Sequence, residues 1–336
     1  MVKTKKFVMA KRFVNEPKLD DFAIVEEELS PLSDREILCE AQWWSVDPYM
    51  RPAMERYPEG STMVGLQIAK VLESKHPSFK VGDHVVGFFG WQTLTVANGD
   101  KAPISTHLPP YKIPDFEGLP LSLALGVLGR TGNSALFGFV DLCKPKAGEV
   151  VVVSGAAGAV GSQVGQIAKI LGCKVIGFAG SDEKVKWLKE ELGFDEAFNY
   201  KTKQVSEALK EAAPEGVDCY FDNVGGEISS DVIYQMNTFG RVSVCGSISS
   251  YNIDDKHTIK ASILQPPVVS KQLRIEGFIV ARWLDRFPEG IKQNLEWVKQ
   301  GKIKYQETVT EGFENMPQAF IGTLRGANFG KSIVKA

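Results

Sequence analysis

The sequence predicts an α/β protein in two parts: a partly open antiparallel β-barrel at the N-terminus, then a doubly wound parallel sheet. Three observations predict it. Residues 1 to about 115 carry short strand signals punctuated by Pro and Gly, with no strand–helix alternation. From Val150 onward strand and helix patterns alternate, which forces parallel pairing. Between the two regimes, at residues 149–162, four consecutive valines run into a turn of small residues. A chain of 336 residues is long enough for two domains with separate cores, placed at 1–127 (rejoined by 303–336) and 128–302.

In the first part, residues 6–14 read as an opening strand. Residues 36–41, 68–72 and 84–89 follow as further strands, the last preceded by the turn Lys80-Val81-Gly82-Asp83. Residues 119–139 read as helical and crowded with small side chains, which suits a link in a crevice. The valine strand 150–153 has no polar alternation and should be buried on both faces. After it come a helix with Val164, Ile167, Ala168 and Leu171 on one face, and a second strand at 173–178. Asp182 is a plausible N-cap for a helix at 183–192, which Gly193 would end. Further strands are expected at 196–200, 217–222, 240–246 and 273–280, and a last amphipathic helix at 287–299. The tail shows strand signals at 307–310 and 331–334 around a short helix near 316–320, and should rejoin the first part.

Strand, small-residue turn, helix is the arrangement that holds a dinucleotide's pyrophosphate, because bare backbone and helix-start amides can approach the phosphates. Here the turn includes Gly158, Ala159, Val160 and Gly161, with Ala156 where the usual first glycine would stand. A tight connection without ligand is the alternative, and the following β-α units favour nucleotide binding. NAD enzymes place a carboxylate after the second strand. This strand ends Phe178-Ala179-Gly180-Ser181 without one, while Lys184 can reach a 2′-phosphate and Tyr200 can add a hydrogen bond. A solvated helix lysine is the other reading of Lys184; acid absent and base present together favour NADP(H). Asn223, after the fourth strand, and residues 245–251, after the fifth, are candidates for ribose and nicotinamide contacts, with simple turn chemistry as the alternative.

The charge balance of 39 basic against 41 acidic residues argues against a polyanion partner such as nucleic acid. Five cysteines, odd in number and with no C-x-x-C pair, read as buried thiols of a reducing compartment. His76, His84, His107 and His257 form no zinc motif, so no metal site is expected. No apolar run is long enough to cross a bilayer, and the basic N-terminus is short for a transit peptide. The expected location is cytoplasmic.

The order of these features resembles the zinc-free branch of the medium-chain dehydrogenase/reductase superfamily, with a GroES-like barrel and a Rossmann domain. More narrowly, V-D-P-Y-M-R (46–51), G-A-V-G (158–161), G-S-D-E-K (180–184), F-N-Y-K (198–201), residues 218–226 and E-G-F-E-N-M-P (311–317) are similar to the prostaglandin and alkenal/one reductases, nearly end to end. The resemblance implies NADPH-dependent reduction of a carbon–carbon double bond conjugated to a carbonyl, with the barrel as substrate domain, and a homodimer. It puts cofactor contacts at Gly158, Ala159, Val160, Gly161, Lys184, Tyr200, Asn223, Cys245, Gly246, Ser247, Ile248, Ser249, Ser250 and Tyr251. It adds Phe278, Ile279, Val280, Ala281, Arg282, Trp283, Leu284 and Asn328. The chain departs from the family at Gly132-Asn133-Ser134-Ala135-Leu136, at residues 254–270, and at Ser270, where the family has a tyrosine. Without zinc, a hydrogen-bond donor must meet the enolate oxygen. The candidates are the cofactor's ribose hydroxyl, Tyr49 and Tyr251, with a structural turn role as the alternative for Tyr49. Arg51 and Arg56 can attract a substrate carboxylate, or serve as ordinary ion-pair arginines. Other readings are a quinone reductase or alcohol dehydrogenase of the same superfamily, or an NADPH-binding protein without turnover.

Overall fold

A computed structural model of the chain describes residues 2–255, 258–259 and 262–336; His257 lies outside them. In chain order the strands are β1 (Lys3–Met9), β2 (Phe22–Glu28), β3 (Glu36–Val46), β4 (Gln67–Ser74), β5 (His84–Gly87), β6 (Leu94–Asn98), β7 (Tyr111–Lys112), β8 (Val150–Ser154), β9 (Lys174–Ala179), β10 (Glu196–Asn199), β11 (Val217–Asp222), β12 (Met236–Val244), β13 (Arg274–Gly277), β14 (Glu307–Glu311) and β15 (Lys331–Lys335). The α-helices are α1 (Met50–Met54), α2 (Arg130–Cys143), α3 (Gly161–Ile170), α4 (Asp182–Glu190), α5 (Val205–Ala212), α6 (Gly226–Tyr234), α7 (Gln265–Ser270), α8 (Phe287–Lys299) and α9 (Met316–Leu324). The chain divides into two compact units, Met1–Gly126 with Glu307–Ala336, and Val127–Gln306.

The first unit is built on a sheet of order β14-β15-β3-β4-β5-β7, with β6 also paired to β3 and the β1–β2 ribbon alongside. Its pairings are antiparallel except β14 with β15. The tail rejoins this unit for a packing reason. Phe313, Met316, Phe320, Ile321 and Val334 enter the same buried cluster as Phe7, Phe22, Trp44 and Trp91, where Phe22 stacks on Trp91 at 5.9 Å. The opening strand differs from expectation. It covers Lys3–Met9, and the chain turns away before Asn15, whose φ is +56°.

The second unit is a six-stranded parallel sheet of order β10-β9-β8-β11-β12-β13. Numbered within the unit, this is 3-2-1-4-5-6, and its topological switch point lies between β8 and β11. Val151, Val152 and Val153 are fully buried, each contributing about 1.5–3 kcal/mol of apolar transfer. The expected helix 119–139 is broken. A 3-10 turn at Leu121–Leu125 precedes α2, which starts only at Arg130 after the small-residue run. The expected strand 273–280 is shorter, because Phe278 turns inward to pack on Phe221 at 6.1 Å. The N-cap of α4 is Ser181 and not Asp182; its hydroxyl accepts the Lys184 amide at 3.4 Å.

Close helix–sheet packing in this unit depends on glycine at Gly165. A Cβ built there would lie 1.9 Å from Phe194 Cζ, inside any tolerable contact. Replacing Gly165 with Ala should therefore cost about 1–3 kcal/mol, read as a lower urea midpoint. Gly165→Ala with Phe194→Leu should recover part of the loss.

Candidate active site

The turn after β8 is shaped by two glycines. Gly155 has φ +58°, a conformation that L side chains rarely adopt, and Ala156 donates its N–H to Phe178 O at 2.9 Å. At Gly161 a Cβ would lie 2.4 Å from Gly155 O, so only glycine lets α3 start this close to the strand. The Ala156 methyl needs no glycine in its place: it is buried, and the space it uses is left by Gly177 on β9. The amides of Ala159, Val160 and Gly161 precede the first bond of α3, Ser162 N–H to Gly158 O at 3.0 Å. A bare cradle at a helix start and at the switch point fits a dinucleotide's phosphates.

A buried polar node fixes the neighbouring strand ends. Asp222, at the end of β11, accepts hydrogen bonds at Oδ1 from Ser154 Oγ (3.1 Å), Tyr220 Oη (2.8 Å), and the amides of Val224 and Gly225 (2.9 Å each). Its backbone carbonyl accepts from Cys245 and Gly246 at 2.8 and 3.2 Å. Burial and then the Asp222 charge push the Tyr220 phenol well above its usual range. Asn223 is held at both ends, its amide on Ser154 Oγ and its side-chain nitrogen on Ser154 O. Ile248 and Ser249 donate their amides to Asn223 O and Val224 O. The segments predicted to meet ribose and nicotinamide, Asn223 and 245–251, are thus tied to each other. Ser154 and Tyr220, which tie them together with Asp222, were not singled out from the sequence.

Tyr251 lies over Gly246, and its phenol oxygen accepts the Ser247 amide at 3.3 Å. Burial raises its pKa, so it remains a protonated donor at neutral pH. The Cys245 thiol is likewise pushed up, to about 12, by burial and then Asp222. Ser247 and Ser250 bond through their hydroxyls at 3.0 Å. In the 278–284 segment several side chains are structural. Val280 and Trp283 are buried, Phe278 closes over Gly138, and Trp283 stacks on Phe137 at 5.8 Å. Arg282 pairs with Glu276, Ile279 is 60% exposed, and Ala281 and Leu284 are half-buried.

At the tip of β9, Lys184 is half-buried in the first turns of α4. Burial, then the nearby Lys201, lowers its pKa. Tyr200 is 40% exposed, with its hydroxyl 3.1 Å from where a Gly180 Cβ would be. Lys201 belongs to this cluster and was missed as a separate candidate.

Four sequence candidates lie in the first unit. Asn328 donates to Gly330 O at 2.7 Å. Tyr49 caps α1 and packs on the aromatic core. Arg56 is exposed. Arg51 is 1% exposed and spends its guanidinium on Asn15 O, Phe13 O and Glu55, so the ion-pair reading holds and a substrate-attracting role does not. Among the described residues no three His, Cys, Asp or Glu side chains converge. His76 is occupied by Asp100 at 2.9 Å and by the Ser78 amide at 3.1 Å. That donor set does not fit zinc.

The Lys184 shift sets a pH dependence. A lysine whose folded pKa is lowered binds fewer protons folded than unfolded, so its burial penalty is relieved as pH rises through the folded value. The Lys184→Met variant should flatten this rise in stability, measured as urea midpoints across alkaline pH.

Two family models match, one described as the N-terminal domain of oxidoreductase over residues 5–104, the other as zinc-binding dehydrogenase over 159–300. The chain is 52% identical to Prostaglandin reductase 1 of Bos taurus, covering 100% of both. It is 39% identical to 2-alkenal reductase (NADP(+)-dependent) of Nicotiana tabacum, over 99% of this chain and 97% of the other. The structure of CurA in complex with NADPH from Vibrio vulnificus is similar at TM-score 0.89 and 35% identity, covering 99% of each chain. With a phosphate-type turn at the switch point of a 3-2-1-4-5-6 sheet and relatives of this likeness along its whole length, the chain belongs to the medium-chain dehydrogenase/reductase superfamily, in the group of prostaglandin reductase 1.

Proposed function

We propose that the protein reduces the carbon–carbon double bond of α,β-unsaturated aldehydes and ketones, including 2-alkenals and 15-oxoprostaglandins, with NADPH. The observation that carries this reading is the full-length 52% identity to Prostaglandin reductase 1, supported by a turn and a basic tip suited to a phosphorylated dinucleotide. Gly158, Ala159, Val160 and Gly161 would hold the pyrophosphate through backbone amides. Lys184 and Tyr200 would take the 2′-phosphate. Asn223 and the loop Cys245 to Tyr251 would line the ribose and nicotinamide, with backbone of Phe278 to Leu284 and Asn328 as further contacts. Bound NADPH supplies the hydride.

The chain's own task is to meet the charge that develops on the substrate carbonyl oxygen. With no zinc donor set among the described residues, a preorganised hydrogen-bond donor has that role. Tyr251 is such a donor, its oxygen anchored by the Ser247 amide and its proton retained because burial raises the phenol pKa. Tyr49 is the candidate from the first unit. Ser270 sits exposed at the end of α7 and leaves the family's tyrosine position without a phenol.

The small-molecule reading goes with two further proposals. Five free thiols suit a reducing, cytoplasmic setting. A homodimer would use β13, an edge strand of the six-stranded sheet, near the exposed Ile275 and Ile279. No described helix is long and apolar enough to cross a membrane.

Steady-state assays with NADPH should show turnover of a 2-alkenal or a 15-oxoprostaglandin exceeding that of quinones. Absence of NADPH consumption across all enones would defeat the reading. The Lys184→Ala variant should raise KM for NADPH about tenfold and leave KM for NADH within twofold. Ile275→Lys should convert a dimer to a monomer in sedimentation; a wild-type monomer would remove the dimer proposal.

A further inference from the structure

The tip of β9 holds more than one cation. Tyr200 and Lys201 follow β10, the parallel neighbour of β9, and both side chains close over the bare backbone of Gly180. A Cβ on Gly180 would lie 3.1 Å from Tyr200 Oη and 3.5 Å from Lys201 Cε. Lys201 is exposed, and among the described residues its ammonium has no carboxylate partner. It lies close enough to Lys184 for the two charges to repel, which supports the same grouping. Two lysines close enough to repel each other are unfavourable alone and suited to a doubly charged ligand group.

One acid close by in the chain is engaged by a neighbour. Asp182, first residue of α4, stands just beyond β9, where a carboxylate would receive the ribose hydroxyls of an unphosphorylated dinucleotide. Its Oδ1 accepts a hydrogen bond from Asn199 Nδ2 at 2.8 Å. The other end of the same amide, Asn199 Oδ1, accepts the Lys201 N–H at 3.1 Å. An N–H donor on one side and a carboxylate on the other leave only one orientation of the Asn199 amide. One side chain therefore engages the acid and fixes the residue carrying the second base.

We propose that Lys201 is a second 2′-phosphate-binding cation and that Asn199 is its positioning residue, favouring the phosphorylated dinucleotide by keeping Asp182 occupied. This deepens the NADPH reading and rests on it. The discrimination is shared between an added attraction and a removed repulsion, and the two parts are separable by mutation.

The experiment is calorimetric titration of the purified full-length protein and its variants with NADPH and NADH, with melting temperatures checked for folding. Lys201→Ala should weaken NADPH about five- to tenfold and change NADH less than twofold, and Lys201→Arg should bind NADPH as wild type does. Asn199→Ala should weaken NADPH and tighten NADH, each about threefold, and Asp182→Ala added to it should abolish the NADH gain. A merely structural Asn199 would move both cofactors in the same direction, which would overturn its assignment. If Lys201→Ala leaves NADPH unchanged, or weakens both cofactors alike, while Lys184→Ala still discriminates, the second cation is disproved and the NADPH reading stands. A wild-type protein that binds NADH as tightly as NADPH would overturn both.

Discussion

The nucleotide unit depends on one buried carboxylate. Asp222 receives hydroxyls from Ser154 and Tyr220 and two amides of its own turn, and its carbonyl receives two amides from the end of β12. A buried charge is tolerated only when it is hydrogen-bonded, and here the donors to the carboxylate come from β8, β11 and the turn after it, while the chain after β12 bonds the backbone carbonyl of the same residue. The side-chain and backbone bonds of this one residue together set the relative height of three strand ends. Asn223 and the loop beginning at Cys245 emerge from those ends, so their positions follow from the node rather than from loop propensity. The phosphate turn leaves β8 one residue beyond Ser154, which ties it to the same frame.

Electrostatics at the tip of β9 work by subtraction as much as by addition. Lysines gather there, while the acid that would suit an unphosphorylated ribose is engaged by Asn199. Partial burial makes the Lys184 charge costly, and on the proposed reading a bound phosphate would relieve that cost.

The first unit buries cations for a different purpose. Lys331 is 3% exposed and donates to Val46 O, Ser332 O and Asp47 Oδ1, and Arg51 reaches two carbonyls of the N-terminal segment and Glu55. Lys331 holds Val46 and Asp47 at the start of the V-D-P-Y-M-R segment and Arg51 anchors its end, with Tyr49 between them. A distinctive motif here encodes structure at two of its positions, which is why its arginine reads as functional when seen only as a string of letters.

The sequence alone determined whatever rests on local pattern. The valine strand, the alternation of β and α, the helix Phe287–Lys299 and the strand Val217–Asp222 follow from periodicity and turn residues a few positions apart. The glycines of the turn after β8 are legible for the same reason. Tertiary structure decided the rest, because the partners are far apart in the chain. Tyr220 meets a serine 66 residues away, and Asn199 meets Asp182 across 17. The cap of α4 passed from Asp182 to Ser181 because the aspartate is engaged by the next strand's end, a competition that no local window contains. Which polar groups are buried together is set by strand order and register, and those exist only once the sheet has formed.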